Sequence, residues 1–410
     1  MIRFGLVCLA AIAVALPIAI ISLSKLLLVL GALAVLVSGG IRRNASQLKL
    51  PGASVTLIVL ALATLAVSSL WSTGSHDEAM SSIAKHGKLI LIPAFVCLVR
   101  NRREGLIALG CFVGAQIFLL ASTWLLTLGV PLPWAKNPVS SGSYAVFSTY
   151  LDQSIMTGVF AAICWHLKVY APLRYRTTVA IAICALALSC VFFIFHGRTG
   201  YVVTIALITL ALLWEMPKRQ RLGVAAIPVL LVIVLAVSSG KSNHGLAEIG
   251  NSIEAFNTTG DTSGSSGIRL NIWRRSLQSI SQNPVFGSGA GSWSRELNRQ
   301  EELHAPIPPP KITTNPHQEY LLWGIELGVL GIALLCALLA ALYRDSLRMA
   351  VPERRATQSV LAALAISCLF NCALYDALIG DFFCIALALV LALGVHPAVP
   401  KHPALSASEA

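Results

Sequence analysis

Apolar runs of about 20 residues recur along almost the whole chain, and they constrain its fold more than any other feature. Runs of this length can cross a membrane as helices. Charged residues make up only 12% of the chain, which is about half the share in a typical soluble protein. Much of the basic charge sits in short connectors between the runs. The pattern predicts an all-α integral membrane protein.

The positions of these runs predict about twelve transmembrane helices. Residues 1–238 would hold the first nine, residues 239–317 would form a long polar loop, and residues 318–410 would hold the last three with a tail. The predicted helices lie at 4–22, 24–41, 52–71, 88–100, 105–129, 154–169, 177–195, 201–216, 222–238, 318–343, 358–375 and 378–395.

The basic residues of the short connectors predict the orientation. Lys and Arg cluster in alternate connectors, at 42–49, 100–103, 168–176, 218–221 and 344–355. Basic short loops stay on the cytoplasmic side of a membrane. We therefore expect both termini in the cytoplasm and the long loop on the periplasmic side of a bacterial inner membrane. These connectors account for much of the net charge of +12, so membrane lipids and not nucleic acid are the expected partner.

Neither a metal nor another cofactor is predicted. All ten cysteines fall inside apolar runs, where they act as small buried hydrophobic residues. Asp77 and Glu78 are adjacent, unlike the spaced acidic pair that metal-dependent glycosyltransferases hold in a first outer loop. The chain has no glycine loop that cradles phosphate before a helix and no nucleophile elbow.

The polar segment 260–320 concentrates the chemistry of the chain, with five arginines, two histidines and a proline run. Residues 266–282 have the spacing of an amphipathic helix, whose apolar stripe would consist of Leu270, Trp273, Leu277 and Ile280. We expect Arg274 and Arg275 to point away from this stripe. Arg269, on the first turn, can point inward toward the bundle.

The chain after this helix should turn back toward the membrane. Asn283 and Pro284 end the helix. The glycine-rich residues 286–291 predict a turn that can pass close to a ligand or another backbone. Residues 306–310 are rich in proline and should be extended.

Three residues are the strongest candidates for catalysis: Arg198, Arg269 and His317. Arginine binds phosphate oxygens through two parallel hydrogen bonds and keeps its charge, which suits a diphosphate. His317 precedes an apolar run, so it should lie near a helix N-terminus that disfavours imidazolium. A neutral imidazole can accept a proton. The alternatives are an Arg198 that reaches lipid head groups, an Arg269 on the surface, and a His317 that caps or packs a helix.

Other polar residues are weaker candidates. Lys85 and Lys88 flank the start of a helix, where each can either contact a phosphate or anchor the helix at the membrane interface. His304 should be solvated. Glu319 and Glu326 lie near His317 in the sequence, and an orienting role, a structural role and a catalytic role all remain open for them.

Several motifs resemble one known superfamily. They are Arg269 with Trp273, the segments 283–289 (NPVFGSG), 315–321 (NPHQEYL) and 324–331 (GIELGVLG), and the upstream element 196–200 (HGRTG). These are similar to the signature of the O-antigen ligase and polymerase superfamily, which includes WaaL-type ligases, Wzy-type polymerases and O-linked protein oligosaccharyltransferases. Gln318 departs from the pattern, because asparagine is usual after the histidine.

The resemblance implies a periplasmic glycosyltransferase of the GT-C kind that needs no metal and inverts the anomeric centre. It implies a glycan on undecaprenyl diphosphate as the donor and, in the ligase branch, a sugar of lipid A–core as the acceptor. Arg198 and Arg269 would bind the diphosphate, and His317 would be the catalytic base. Trp273, Gln318 and Glu319 would support them.

We favour the ligase among the possible functions. A Wzy-type polymerase would use the same donor with a lipid-linked glycan as the acceptor. A protein oligosaccharyltransferase is less favoured, because those proteins usually run longer than 410 residues. A transporter or flippase would suit the number of helices, but it predicts charged or broken helices at mid-membrane, and most helix interiors here lack charge.

Overall fold

A computed structural model describes residues 2–38, 52–136, 143–171, 174–221, 265–304 and 315–396, with a few isolated residues between 221 and 265. Within these ranges the chain forms helices and turns, and no β-strand occurs. The α-helices are α1 (Ile2–Ala13), α2 (Ile18–Val37), α3 (Gly52–Ser68), α4 (His76–His86), α5 (Leu91–Leu98), α6 (Arg102–Thr127), α7 (Tyr150–Leu167), α8 (Arg176–Ser189), α9 (Arg198–Glu215), α10 (Ser265–Gln282), α11 (Trp293–His304), α12 (Glu319–Ser346), α13 (Val351–Phe370) and α14 (Ala377–Val395).

Eight helical segments in the described part of the chain are long and apolar enough to cross a membrane. They are Ile18–Val37, Gly52–Trp71, His76–Leu98, Arg102–Thr127, Arg176–Ile194, Arg198–Glu215, Glu319–Ser346 and Ala377–Val395. The chain is therefore a multi-pass membrane protein. The predicted total of about twelve is not confirmed. The predicted span at 222–238 and part of the polar loop lie outside the described residues, so the predicted region boundaries stay a prediction.

Helix α14 forms the centre of the bundle and is the most deeply buried of these segments. It packs against α5, α6 and α13. Helix α7 packs against α8, α9 and α13, while α3 runs along α12. Helices α7 and α13 are less hydrophobic than these eight segments and are not among them. Polar residues such as Asp152 and Glu353 occupy their first turns.

The first predicted helix, 4–22, is wrong in its boundaries. Helix α1 ends at Ala13 and α2 begins at Ile18, directly after Pro17. Proline lacks a backbone N–H and clashes with the preceding turn, so a helix cannot continue smoothly through this position. The chain therefore reverses direction here instead of crossing the membrane as one long helix.

The residues between the predicted helices 52–71 and 88–100 were expected to form a loop at 72–87, which is wrong, because most of this segment forms helix α4. Ser75 and Glu78 begin this helix with a capping box, in which the Ser75 side chain accepts from the Glu78 N–H and the Glu78 carboxylate accepts from the Ser75 N–H. Such a box satisfies two of the free N–H groups at a helix start. As a consequence, Lys85 lies on a helix and Lys88 on the tight turn that follows it.

The predicted loop helix exists as α10, but its buried face differs from the predicted stripe. Leu277 is exposed, and Arg275 is buried. The reason is a second helix, α11, which the sequence reading missed. Its Glu301 carboxylate accepts hydrogen bonds from Arg275 Nε and Asn271 Nδ2, both at 2.9 Å. Packing two polar helices against each other thus buries charge that a single amphipathic helix would expose.

The glycine-rich turn after α10 is inserted against a break in α12, which confirms the predicted close approach to another backbone. Gly328 has a non-helical conformation inside α12. The freed carbonyls of Ile325 and Glu326 accept hydrogen bonds from Ser288 N–H (2.7 Å) and Gly289 N–H (2.9 Å). A Cβ atom at Gly289 would clash with the Cα of Ser72. Only glycine fits there, so the turn and the bundle are locked together.

The bundle has two chemically different ends. We call the one that carries Trp71, the starts of α7, α9 and α12, and Asp376 the site end. The opposite end carries arginine–carboxylate pairs, which are Arg102 with Glu353 (2.7 Å), Arg355 with Glu215 (2.8 Å) and Arg3 with Glu104 (3.8 Å).

Candidate active site

The segment that carries His317 has an unusual backbone. His317 has a φ of +52° and is the only non-glycine residue with positive φ in the described ranges. This left-handed conformation is uncommon for residues with a side chain, and it persists when its surroundings hold it. The Asn315 carboxamide oxygen accepts the His317 N–H at 3.0 Å. The backbone of this segment and its contacts therefore fix the position from which the His317 side chain extends.

Residues on both sides of His317 hold the segment in place. The Trp273 indole Nε1 of α10 donates to the carbonyl of Pro316 at 3.2 Å. The Gln318 side-chain oxygen accepts the Leu321 N–H at 2.7 Å and caps α12. Trp273 and Gln318, both predicted as supporting residues, thus lie directly beside the candidate base.

Arg269 lies on the first turns of α10 and is half-buried. Burial lowers the pKa of the Arg269 guanidinium, and the positive charge of Arg198 lowers it further. Arg198 is the first residue of α9, directly after Gly197, whereas the predicted helices 177–195 and 201–216 left it in the short loop between them. Two guanidinium groups from separate parts of the chain are therefore within electrostatic reach of each other.

His317 belongs to the same cluster. Burial lowers the pKa of its imidazole, and the charge of Arg269 lowers it further. The imidazole is therefore neutral at neutral pH. This direction agrees with the expectation from the sequence, but the causes are burial and Arg269 instead of a helix N-terminus. At the site end, Arg198 thus acts on Arg269, and Arg269 acts on His317.

Lys88 is buried beside this group and has backbone partners. Its ammonium donates to the carbonyls of Tyr375 (3.2 Å) and Asp376 (2.5 Å). The ammonium of Lys85 lies 4.0 Å from the centre of the Tyr375 ring. Both lysines therefore converge on the short segment that joins α13 to α14.

Asp376 connects this segment to the histidine, and the sequence reading missed it. Its carboxylate oxygen Oδ1 accepts from Asn315 Nδ2 at 2.9 Å. Burial raises the pKa of Asp376 to about 7, with a further increase from Asp152 and a decrease from Lys88. The available signal was a single acid at the edge of the last apolar run, which is a costly position unless the charge has partners.

Glu319 is buried, and its carboxylate joins the start of α12 to the segment between α13 and α14. Its oxygen Oε2 accepts from the N–H groups of Leu374 (2.9 Å) and Tyr375 (3.2 Å). Its other oxygen, Oε1, accepts from Trp323 Nε1 at 3.1 Å and lies 3.4 Å from His86 Nε2. Glu319 therefore attaches the start of α12 to the segment that holds Asp376.

Glu326 lies farther along α12 and holds the glycine-rich turn. Its carboxylate oxygen Oε1 accepts from the Gly291 N–H at 2.8 Å and from the Ser82 hydroxyl at 2.7 Å. Of the roles left open for Glu326, these contacts support the structural one. The side chain of His304, at the end of α11, lies outside the described side chains.

The described ranges contain no group of three or more His, Cys, Asp or Glu residues that could hold a metal ion. Glu78 is engaged in the capping box at the start of α4. The charged groups around His317 are the guanidinium of Arg269 and the buried carboxyls of Glu319 and Asp376, with the ammonium of Lys88 beside Asp376. The guanidinium groups of Arg198 and Arg269 suit a multivalent anion.

Comparison with known proteins agrees with this arrangement. Residues 180–336 match the Wzy_C family model, which is described as O-antigen ligase. No curated protein matches the chain. The matched region begins in α8 and ends in α12, so it contains Arg198, Arg269 and His317. This match to part of the chain is consistent with a member of the O-antigen ligase and polymerase superfamily.

Proposed function

We propose that this protein is an O-antigen ligase of a bacterial inner membrane, with its active site facing the periplasm. It transfers a polysaccharide from undecaprenyl diphosphate to a sugar hydroxyl of lipid A–core. One observation carries the proposal: Arg198, Arg269 and His317 come from three separate segments, the charge of Arg198 lowers the pKa of Arg269, and the charge of Arg269 lowers the pKa of His317. Their chemistry matches the anion and the proton transfer that this reaction requires.

The two arginines bind the donor diphosphate. Because Arg198 lowers the pKa of the half-buried Arg269, two positive charges are close together in a partly desolvated site. A diphosphate relieves this repulsion and accepts bidentate hydrogen bonds from each guanidinium. As the reaction proceeds, negative charge increases on the leaving diphosphate. Fixed positive groups stabilise this charge without a metal ion.

His317 is the general base. Its neutral imidazole accepts the proton of the acceptor hydroxyl while the hydroxyl oxygen attacks the anomeric carbon of the donor. The new glycosidic bond forms as the bond between that carbon and the diphosphate oxygen breaks. Undecaprenyl diphosphate leaves with the electron pair, and the proton stays on His317. Direct displacement inverts the anomeric centre, and general base catalysis contributes about 10²- to 10⁴-fold to the rate.

Several neighbours position this group. Asn315 and Trp273 bind the backbone around His317, and Glu319 attaches α12 to the Asp376 segment. The buried ammonium of Lys88 holds two backbone carbonyls, which supports an anchoring role in preference to contact with the diphosphate. Lys85, which is half-buried above the Tyr375 ring, is the lysine that we retain as an additional donor contact.

The lipopolysaccharide of a deletion strain tests this function. We expect core without attached O-antigen, together with polymer that accumulates on the lipid carrier. A core that carries a single repeat would instead indicate a polymerase. Loss of both the polymer and the single repeat would favour a transporter.

Complementation links the result to the site. The unaltered gene should restore capped lipopolysaccharide, and His317→Ala should not. Arg274→Ala is the matched control, because Arg274 is an exposed arginine on α10, the helix that also carries Arg269. Full restoration by His317→Ala at equal protein levels would refute the proposed base.

A further inference from the structure

An exposed apolar patch surrounds the tip of the glycine-rich turn at the site end. Its members are highly exposed for apolar residues, with Leu70 at 85%, Phe286 at 61%, Val329 at 59%, Val285 at 52% and Trp71 at 41%. Large apolar side chains at this exposure are unfavourable in water. A group of them marks a surface that another apolar phase covers.

These residues form one surface, although they come from three separate segments. The rings of Trp71 and Phe286 meet edge to face, with their centroids 6.4 Å apart. The Val329 N–H donates to the carbonyl of Pro284 at 2.8 Å. The end of α3, the tip of the turn and the break in α12 are thus side by side.

The solvent exposure of the residues of α12 changes at the break at Gly328. From Glu319 to Gly328 its residues are buried, apart from the half-buried Tyr320. Val329 and Leu330, directly after the break at Gly328, are exposed. The helix therefore passes from a segment enclosed by protein to one with an open apolar flank.

Helix α3 also has an exposed apolar flank that ends at the level of the patch. Its exposed residues Val59, Leu60 and Val67 continue up to Leu70 and Trp71, where the apolar segment 52–71 ends. Both α3 and α12 belong to segments that are apolar enough to cross a membrane. The patch is thus continuous with the lipid-facing flanks of two membrane helices. Tryptophan is also common at the level of the lipid head groups.

We propose that the tip of the turn, Val285 and Phe286, enters the bilayer and anchors the polar loop to the membrane surface. The partner is phospholipid, with acyl chains against Phe286 and the head-group region around Trp71. The proposal does not depend on the transferase reaction. It assigns a function to the apolar residues of the NPVFGSG segment, whose glycines already have a packing role.

The anchor has a mechanical consequence. The tip is joined rigidly to α12 through Ser288 and Gly289, and it follows α10 directly. Arg269 lies about 20 Å from that end of α10, at the helical rise per residue. Fixing one end of α10 in the bilayer therefore restricts the height at which the helix holds Arg269.

Photocrosslinking of the whole protein in phospholipid vesicles tests the anchor. We would prepare Phe286→p-benzoylphenylalanine in vesicles of phosphatidylethanolamine and phosphatidylglycerol, irradiate them, and detect lipid adducts on the peptide by mass spectrometry. The same substitution at Val59, on the flank of α3, is the positive control. The matched control outside the patch is p-benzoylphenylalanine at Leu303, which is exposed on α11 of the polar loop.

The proposal expects lipid adducts at position 286 that approach the yield at 59 and exceed the yield at 303 at least tenfold. A yield at 286 as low as that at 303 would overturn it. A covalent dimer in place of the lipid adduct would also overturn it, because the patch would then be an interface between copies of the chain. A fourth variant at Trp71 checks the patch independently. Adducts at 71 but not at 286 would show that the turn stays outside the bilayer.

Discussion

Arg102 and Arg355 at one end of the bundle have different neighbours from Arg269 at the site end. At the opposite end, Arg102 and Arg355 contact the carboxylates of Glu353 and Glu215 at 2.7 and 2.8 Å. At the site end, the positive charge of Arg198 lowers the pKa of Arg269, and Arg269 lowers that of His317. The opposite end thus pairs these arginines with acids of the protein, and at the site end the positive charge of Arg198 acts on Arg269.

Under the proposed function, this difference separates charges that stabilise the fold from charges that bind the donor. An arginine that is bonded to a carboxylate satisfies its desolvation cost within the protein. Like charges that are partly buried together raise the free energy of the protein, and an anion lowers it again on binding. Substitutions at the opposite end should therefore affect stability first, and substitutions at the site end should affect activity first.

The largest effect on activity is expected for His317→Ala. Loss of the general base should lower the turnover rate by about 10²- to 10⁴-fold. The affinity for the lipid-linked donor should stay within a few-fold of its original value, because the arginines remain. Transfer and donor binding, measured on purified protein in detergent, check this expectation. A variant that turns over like the unaltered protein would exclude His317 as the base.

The next effect is expected for the site-end arginines. Arg269→Gln and Arg198→Gln should weaken donor binding by about 10- to 100-fold, which corresponds to the loss of a hydrogen bond between charged groups. The lysine variants should be intermediate, because an ammonium keeps the charge but not the bidentate geometry.

The matching substitution at the opposite end, Arg355→Gln, is the control. It removes a partly exposed pair with Glu215 and should leave donor affinity unchanged. Equal losses at both ends would remove the distinction between the two uses of arginine. Donor affinity should be measured as a function of salt concentration, since screening weakens the site-end contacts.

Glu353→Ala should show the converse behaviour. It removes the carboxylate that binds Arg102 and the Tyr170 hydroxyl, both at 2.7 Å, and leaves a partly buried arginine without its acid. Breaking such a pair costs about 3 kcal/mol. The melting temperature in detergent should fall, while the donor affinity of the folded fraction stays unchanged. A loss of donor affinity without a change in melting temperature would contradict this assignment.

The smallest effect is a shift in the titration of His317. Because Arg269 lowers the pKa of the imidazole, Arg269→Gln should raise that pKa toward the ordinary value near 6.5. The neutral form exists above the pKa, so the acid limb of the activity profile should move to higher pH. NMR of labelled histidine separates this titration from that of Asp376, whose pKa is about 7. An unchanged His317 pKa would show that the two residues are not coupled.

The sequence predicted a large part of this arrangement. Apolar runs and their separations predicted a helical membrane protein, and motif resemblance selected Arg198, Arg269 and His317. The missed features depend on partners that are distant in the chain. Arg275 was expected on the surface, because its partner Glu301 lies on a helix that the pattern did not indicate. Asp376 acquires its position beside Asn315 only when α14 packs into the bundle.

The sequence by itself determined which segments leave water and which residue types are available for chemistry. Those properties follow from local composition, because hydrophobic burial and charge are carried by each segment alone. Only the tertiary structure decided which arginines meet a carboxylate, as Arg102 and Arg275 do, and which side chains come together at the site end. That outcome depends on which helix ends meet, and the contacts between residues far apart in the chain determine it.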